Sequence, residues 1–97
     1  MTRQEIMDTL RLHRGEMSER FAVVSLALFG SASRDELRKD SDVDVLLSFA
    51  GGATFDGYFG LKRYLETLLQ RPVDLVTPNS LKPRLRRSIE GDLLHVA

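Results

Sequence analysis

Three aspartates at alternate positions, Asp40, Asp42 and Asp44, follow a Gly30–Ser31 pair at the end of an apolar run. Residues two apart on a strand share a face, so Asp42 and Asp44 point together while Val43, Val45 and Leu47 point the other way, into a core. Two carboxylates about 4 Å apart repel by roughly 4 kcal/mol at an effective dielectric near 20, against a net stability of only ~5–15 kcal/mol for a small domain. A divalent cation resolves the conflict, and a set of oxygen ligands suits Mg²⁺ or Mn²⁺. Asp74 lies in PVDLV, where Val73 and Leu75 occupy the opposite side of a short strand. If that strand pairs beside residues 43–49, Asp74 joins the cluster. Three carboxylates then suffice for two ions that clamp an in-line displacement at phosphorus. Gly30 and Ser31 add free backbone N–H groups and a hydroxyl, the ingredients of an anion site, and Arg34 adds a positive charge nearby.

Each part alone has an ordinary explanation. A D-x-D marks many solvated turns, a Gly-Ser pair many loops, Ser33 has the spacing of a helix cap before Glu36, and Asp74 could be an exposed strand residue. It is their conjunction that points to phosphate chemistry. Competing motifs fail: Asp40-x-Asp42-x-Asp44 opens like an EF-hand loop, but Val45 stands where glycine is needed and Gly51 where the bidentate glutamate belongs. Neither a P-loop nor a G-x-G-x-x-G is present, and Gly57–Gly60 reads as the start of a helix.

The elements that must position these groups follow from periodicity. Residues 3–18 carry Ile6, Leu10, His13 and Met17 as a helical stripe, with His13 read as a packing residue. Phe21 to Phe29 is a buried strand stopped by Gly30, and 33–39 a short helix. Val43 to Phe49 is a second strand, and 56–70 a helix with Tyr58, Leu61, Leu65 and Leu68 toward the core. Val73 to Val76 is a third strand between prolines. A last helix from about residue 80 sets Leu81, Leu85 and Ile89 on one side and Lys82, Arg84, Arg86 and Arg87 around the rest; His95 falls in a frayed end. The expected fold is α+β in two layers, a mixed sheet of three or four strands backed by helices, forming a single domain over 1–97.

The 97 residues hold 42% hydrophobic and 29% charged side chains, as an ordinary globular domain does. Lysine plus arginine and aspartate plus glutamate number 14 each, so bulk charge favours neither a nucleic-acid nor a membrane partner. The absence of cysteine excludes a disulfide framework and thiolate metal sites. The N-terminal segment is charged throughout, and the longest apolar run is about half a membrane span. A cytoplasmic location is the expectation.

Gly30-Ser31, ten residues, then Asp42-x-Asp44 resembles the G-S-x10-D-x-D signature of the nucleotidyltransferase superfamily with the DNA polymerase β-like palm. With Asp74 in VDLVT and the arginine-rich last helix, the chain resembles the minimal nucleotidyltransferase group, the MNT domain proteins. The likeness runs from about Leu28 to Val96. In that register Asp42 and Asp44 match and Asp40 falls outside. The resemblance implies Mg²⁺-dependent transfer of AMP from ATP to a hydroxyl, with release of pyrophosphate. It implies that Asp42, Asp44 and Asp74 hold two Mg²⁺ ions, that Asp74 helps activate the acceptor, and that Gly30, Ser31 and Arg34 hold the triphosphate. It further implies a HEPN-type toxin as partner, silenced by modification of a tyrosine within a hetero-oligomeric complex. The alternative is a binding-only antitoxin that occludes its partner without chemistry. Typical members read G-S-R-A-R-G; here Ala32 replaces the first arginine and Asp35 the final glycine.

Overall fold

In the computed structural model, which describes residues 1–96, the chain starts its first helix with a reciprocal cap. The Thr2 hydroxyl accepts from the Glu5 N–H at 3.2 Å, and Glu5 Oε1 accepts from the Thr2 N–H at 3.0 Å. Helix α1 (Arg3–Leu12) buries Ile6, Met7 and Leu10. The apolar stripe predicts one helix through residue 18, but the chain breaks at His13 and restarts as α2 (Arg14–Phe21). His13 Nδ1 lies 2.8 Å from the Thr9 carbonyl oxygen, and Gly15 follows just inside α2, where it weakens helix continuity. The stripe still serves the core: Met17 is fully buried, and His13 packs edge-on to Tyr64.

Strand β1 (Val23–Phe29) leads into a single helical turn, α3 (Gly30–Ser33), and β2 (Val43–Phe49) follows. The expected helix over 33–39 is therefore displaced toward the N-terminus. Ser33 does not cap it: its hydroxyl donates back to the Gly30 carbonyl at 2.9 Å, and Asp35 turns the chain out of the helix at φ 58. Helix α4 (Phe55–Leu69) then carries the chain to β3 (Val73–Val76). Its Leu61, Leu65 and Leu69 are buried, whereas Leu68, expected inside, is only partly covered. Tyr58 packs against the core from the rim of this face.

The sheet has four strands in the order β3-β2-β1-β4, with β1 antiparallel to β2 and to β4, and β2 parallel to β3. The parallel pair requires a crossover, which α4 provides. Alternation along β2 is clean: Val43, Val45 and Leu47 are fully buried against the helices and Asp44 turns to the other face. On the outer edge of β3, Tyr58 Oη donates to the Leu75 carbonyl, and the Val73 N–H donates to Glu66 Oε2 at 2.9 Å, so side chains close two edge groups open to pairing.

Beyond β3 a 3₁₀ turn (Pro78–Ser80) precedes α5 (Pro83–Glu90). Of the expected apolar side of that helix only Ile89 is buried; Leu85 is 53% exposed and Leu81 partly so. The last strand, β4 (Leu94–His95), takes the place of a frayed end. It pairs Leu94 with Leu28 and His95 with Ala27, and the Val96 N–H donates to the Leu26 carbonyl at 2.9 Å. Among the described residues no helix is long and apolar enough to cross a membrane.

Candidate active site

Pairing registers set the acidic residues. Phe29, the last residue of β1, lies opposite Asp44, and Asp44 in turn lies in register with Asp74 on β3. One row across the sheet thus ends at the Phe29–Gly30 turn on one side and at two adjacent carboxylates on the other. Asp42 stands exposed just before β2 begins, Asp74 is exposed on β3, and Asp44 between them is partly buried. Burial, together with the negative charges of Asp74 and Asp42, pushes the Asp44 carboxyl up to about 6, against an opposing pull from Arg34.

Gly30 is bound to this cluster by two constraints. Its φ of +66 is left-handed, and a Cβ there would fall 2.3 Å from Asp44 Oδ2. The backbone turn and the carboxylate thus share one space that no side chain can enter. The next residue, Ser31, is partly buried, its carbonyl accepts from the Glu36 N–H at 2.8 Å, and its hydroxyl is engaged by no other described residue.

Asp35 occupies the left-handed position where glycine is usual in the G-S-R-A-R-G pattern, a conformation aspartate tolerates better than most residues. Its Oδ1 accepts from the Arg3 N–H at 2.8 Å, and Arg3 Nη1 donates to the Ser33 carbonyl at 3.1 Å. The N-terminus of α1 thereby braces the loop. Ala32, in place of the first arginine, is completely buried beneath it.

Arg34, expected beside a phosphate, is held by two carboxylates: Nε donates to Glu36 at 3.3 Å and Nη1 to Asp92 at 2.5 Å. Asp92 was not among the sequence candidates. It lies 58 residues from Arg34 in the chain, and only the short pairing of β4 with β1 brings it there. Lys82, just before α5, and Arg84, Arg86 and Arg87 on it are exposed and form no ion pair with another described residue.

The structure therefore brings Gly30, Asp44 and Asp74 together, with Asp42 and Arg34 within Coulombic reach. Among the described residues, no three acidic or histidine side chains are already drawn in as a complete ligand set. The donors are all carboxylate oxygens, the chemistry that fits a hard divalent cation, and the missing Gly30 side chain leaves room for the Asp44 carboxylate.

Residues 10–95 match the family described as Nucleotidyltransferase domain. The protein adenylyltransferase MntA of Thermococcus cleftensis is 38% identical over 96 residues, which cover 99% of this chain and 97% of that one. A solved minimal nucleotidyltransferase superposes with a TM-score of 0.74 at 37% identity, covering 91% of this chain and 93% of the other. The fold also recurs, at a TM-score of 0.67 and 18% identity, in the complex of a tri-AMPylated Shewanella oneidensis HEPN toxin with MNT antitoxin, over 94% of this chain and 71% of the matched one. A family match over most of the chain and relatives matched end to end lead to one conclusion: the chain is a nucleotidyltransferase and belongs to the minimal branch of the nucleotidyltransferase domain family.

Proposed function

We propose that the protein transfers AMP from ATP to a tyrosine hydroxyl of a partner protein in the cytoplasm, and that this partner is a HEPN-type toxin which it silences as an antitoxin. The observation that carries the reading is the register of Asp44 with Asp74 beside a left-handed Gly30 whose missing side chain leaves Asp44 its space. Support for a protein acceptor comes from relatives such as MntA, and for the partner from the fold shared with the HEPN toxin complex.

In this mechanism Gly30 and Ser31 receive the triphosphate through backbone N–H groups and a hydroxyl, and Arg34 adds positive charge. Asp42, Asp44 and Asp74 would hold two Mg²⁺ ions, which supply charge to the phosphates and lower the pKa of the acceptor hydroxyl. Asp74, the more exposed partner of the adjacent pair, helps activate the acceptor by taking its proton. The acceptor oxygen forms a bond to the α-phosphorus, the bond to the bridging oxygen breaks, and pyrophosphate leaves. Strands β2 and β3 hold Asp44 and Asp74 in one row, so positioning supplies the rate.

The test is incubation of the chain and Mg²⁺-ATP with a soluble lysate of its source, followed by mass mapping of modified peptides. Expected is one protein gaining AMP on tyrosine. A modified small molecule or RNA end with no modified protein would contradict the reading.

One observation favours binding without chemistry: Arg34 is already engaged by Glu36 and Asp92, and Ala32 offers no second cation. The two readings part at Asp44→Asn, which leaves inhibition of the partner intact only if occlusion suffices.

A further inference from the structure

Between Gly30 and Glu36 the only cationic side chain is Arg34. Guanidinium has five N–H donors; two are used, one on Nε toward Glu36 and one on Nη1 toward Asp92. Three remain, including both on Nη2, and the side chain is 44% exposed, so Arg34 can be held from one side and still donate from the other.

Asp92 is not a chance surface contact. Strand β4 pairs antiparallel with the end of β1, Leu94 opposite Leu28 and His95 opposite Ala27, and Asp92 stands two residues before β4 in the turn that enters it. The Asp92 N–H donates to the carbonyl of the buried Ile89 at 2.9 Å, which fixes the turn that carries it. The last strand, only two residues long, thus anchors the turn whose carboxylate meets Arg34.

We propose that Asp92, with Glu36 as its second support, is a positioning residue that holds the Arg34 guanidinium so that its unengaged N–H groups meet the nucleotide's triphosphate. The inference rests on the nucleotide reading of the Gly30–Ser31 turn. Without Asp92, the long arginine side chain must be ordered by the nucleotide itself. Ordering one such side chain costs about 2- to 12-fold in affinity.

The experiment is calorimetric titration of the full chain with Mg²⁺-ATP and, separately, AMP. Asp92→Ala and Asp92→Asn should each weaken ATP about 5-fold, with Asp92→Glu recovering most of the loss, while AMP binding stays unchanged. Arg34→Ala should weaken ATP by about tenfold or more, and adding Asp92→Ala to it should cost nothing further. A merely structural Asp92 would lower ATP and AMP alike and add its loss to that of Arg34→Ala. Asp92 variants that bind ATP as tightly as wild type, or more tightly, while Arg34→Ala is impaired would overturn this inference alone. A wild-type chain that binds no ATP would overturn the nucleotide reading and this inference with it.

Discussion

Replacing Gly30 by alanine tests whether the turn and the carboxylate occupy one space. Two costs are separable. A left-handed φ of +66 costs an L-residue about 1–2 kcal/mol. The new Cβ would also sit 2.3 Å from Asp44 Oδ2, where ordinary contact begins near 3.4 Å, so the carboxyl must retreat by roughly 1 Å. Turning a short side chain off its rotamer adds about 0.5–1.5 kcal/mol. The sum, about 1.5–3.5 kcal/mol, corresponds to a fall in melting temperature of about 6–28 °C for a domain of this length. Moving a reacting group by 1 Å costs about 100-fold in rate. Gly51 provides the control, because its φ of +75 carries the same strain but an added Cβ would meet nothing within 4 Å. Thermal melts and α-labelled nucleotide transfer on both variants separate the effects. Gly51→Ala should lose only the backbone share and keep its activity; Gly30→Ala should lose more stability and nearly all transfer. If the two variants melt together and Gly30→Ala transfers within a few-fold of wild type, Asp44 does not depend on the space that glycine leaves.

Three further outcomes are expected. Because the folded chain holds the Asp44 proton up to about 6 while an unfolded aspartate releases it near 3.8, the folded state binds the extra proton between those values, and the Asp44 contribution to stability falls as pH rises through them. The full span is worth at most about 3 kcal/mol; with solvent screening, Asp44→Asn should gain about 1–2 kcal/mol over wild type near pH 7.5 in metal-free buffer and nothing near pH 4, by denaturant titration. Asp35→Ala loses the bond to the Arg3 N–H while keeping a left-handed backbone, and should cost about 1–2 kcal/mol in the same assay, with Asp35→Gly costing less than half as much. Tyr58→Phe removes the donor to the Leu75 carbonyl on the edge strand and should destabilise by about 1 kcal/mol, without affecting nucleotide binding.

Strong local alternation made the site legible. Val43–Phe49 and Val73–Val76 alternate between core and solvent, so both strands emerge with the bounds their sequences predict, and with them the faces of Asp44 and Asp74. Gly30 was legible as a strand stop, though its collision with Asp44 was not, since a distance across strands has no local signature. What stayed hidden depended on single side chains or on pairing. His13 splits a continuous stripe through its bond to the Thr9 carbonyl. Ser33 has the spacing of a cap but bonds back to Gly30. Leu85 follows the periodicity of a core residue on a helix that buries only Ile89. Strand β4 is too short for any alternation, so neither it nor the carboxylate of Asp92 could be read before the fold was known.

The most direct test of nucleotidyl transfer is a comparison of ATP labelled on the α-phosphate with ATP labelled on the γ-phosphate, supplied with Mg²⁺ to the wild-type chain, Asp44→Asn and Asp74→Asn in the presence of partner-containing lysate. Wild type alone should place α-label on a protein band, with no γ-label transferred by any of the three. Gamma-label on the band would make the protein a kinase. Alpha-label undiminished in Asp44→Asn and Asp74→Asn would show that the paired aspartates are not where the chemistry occurs.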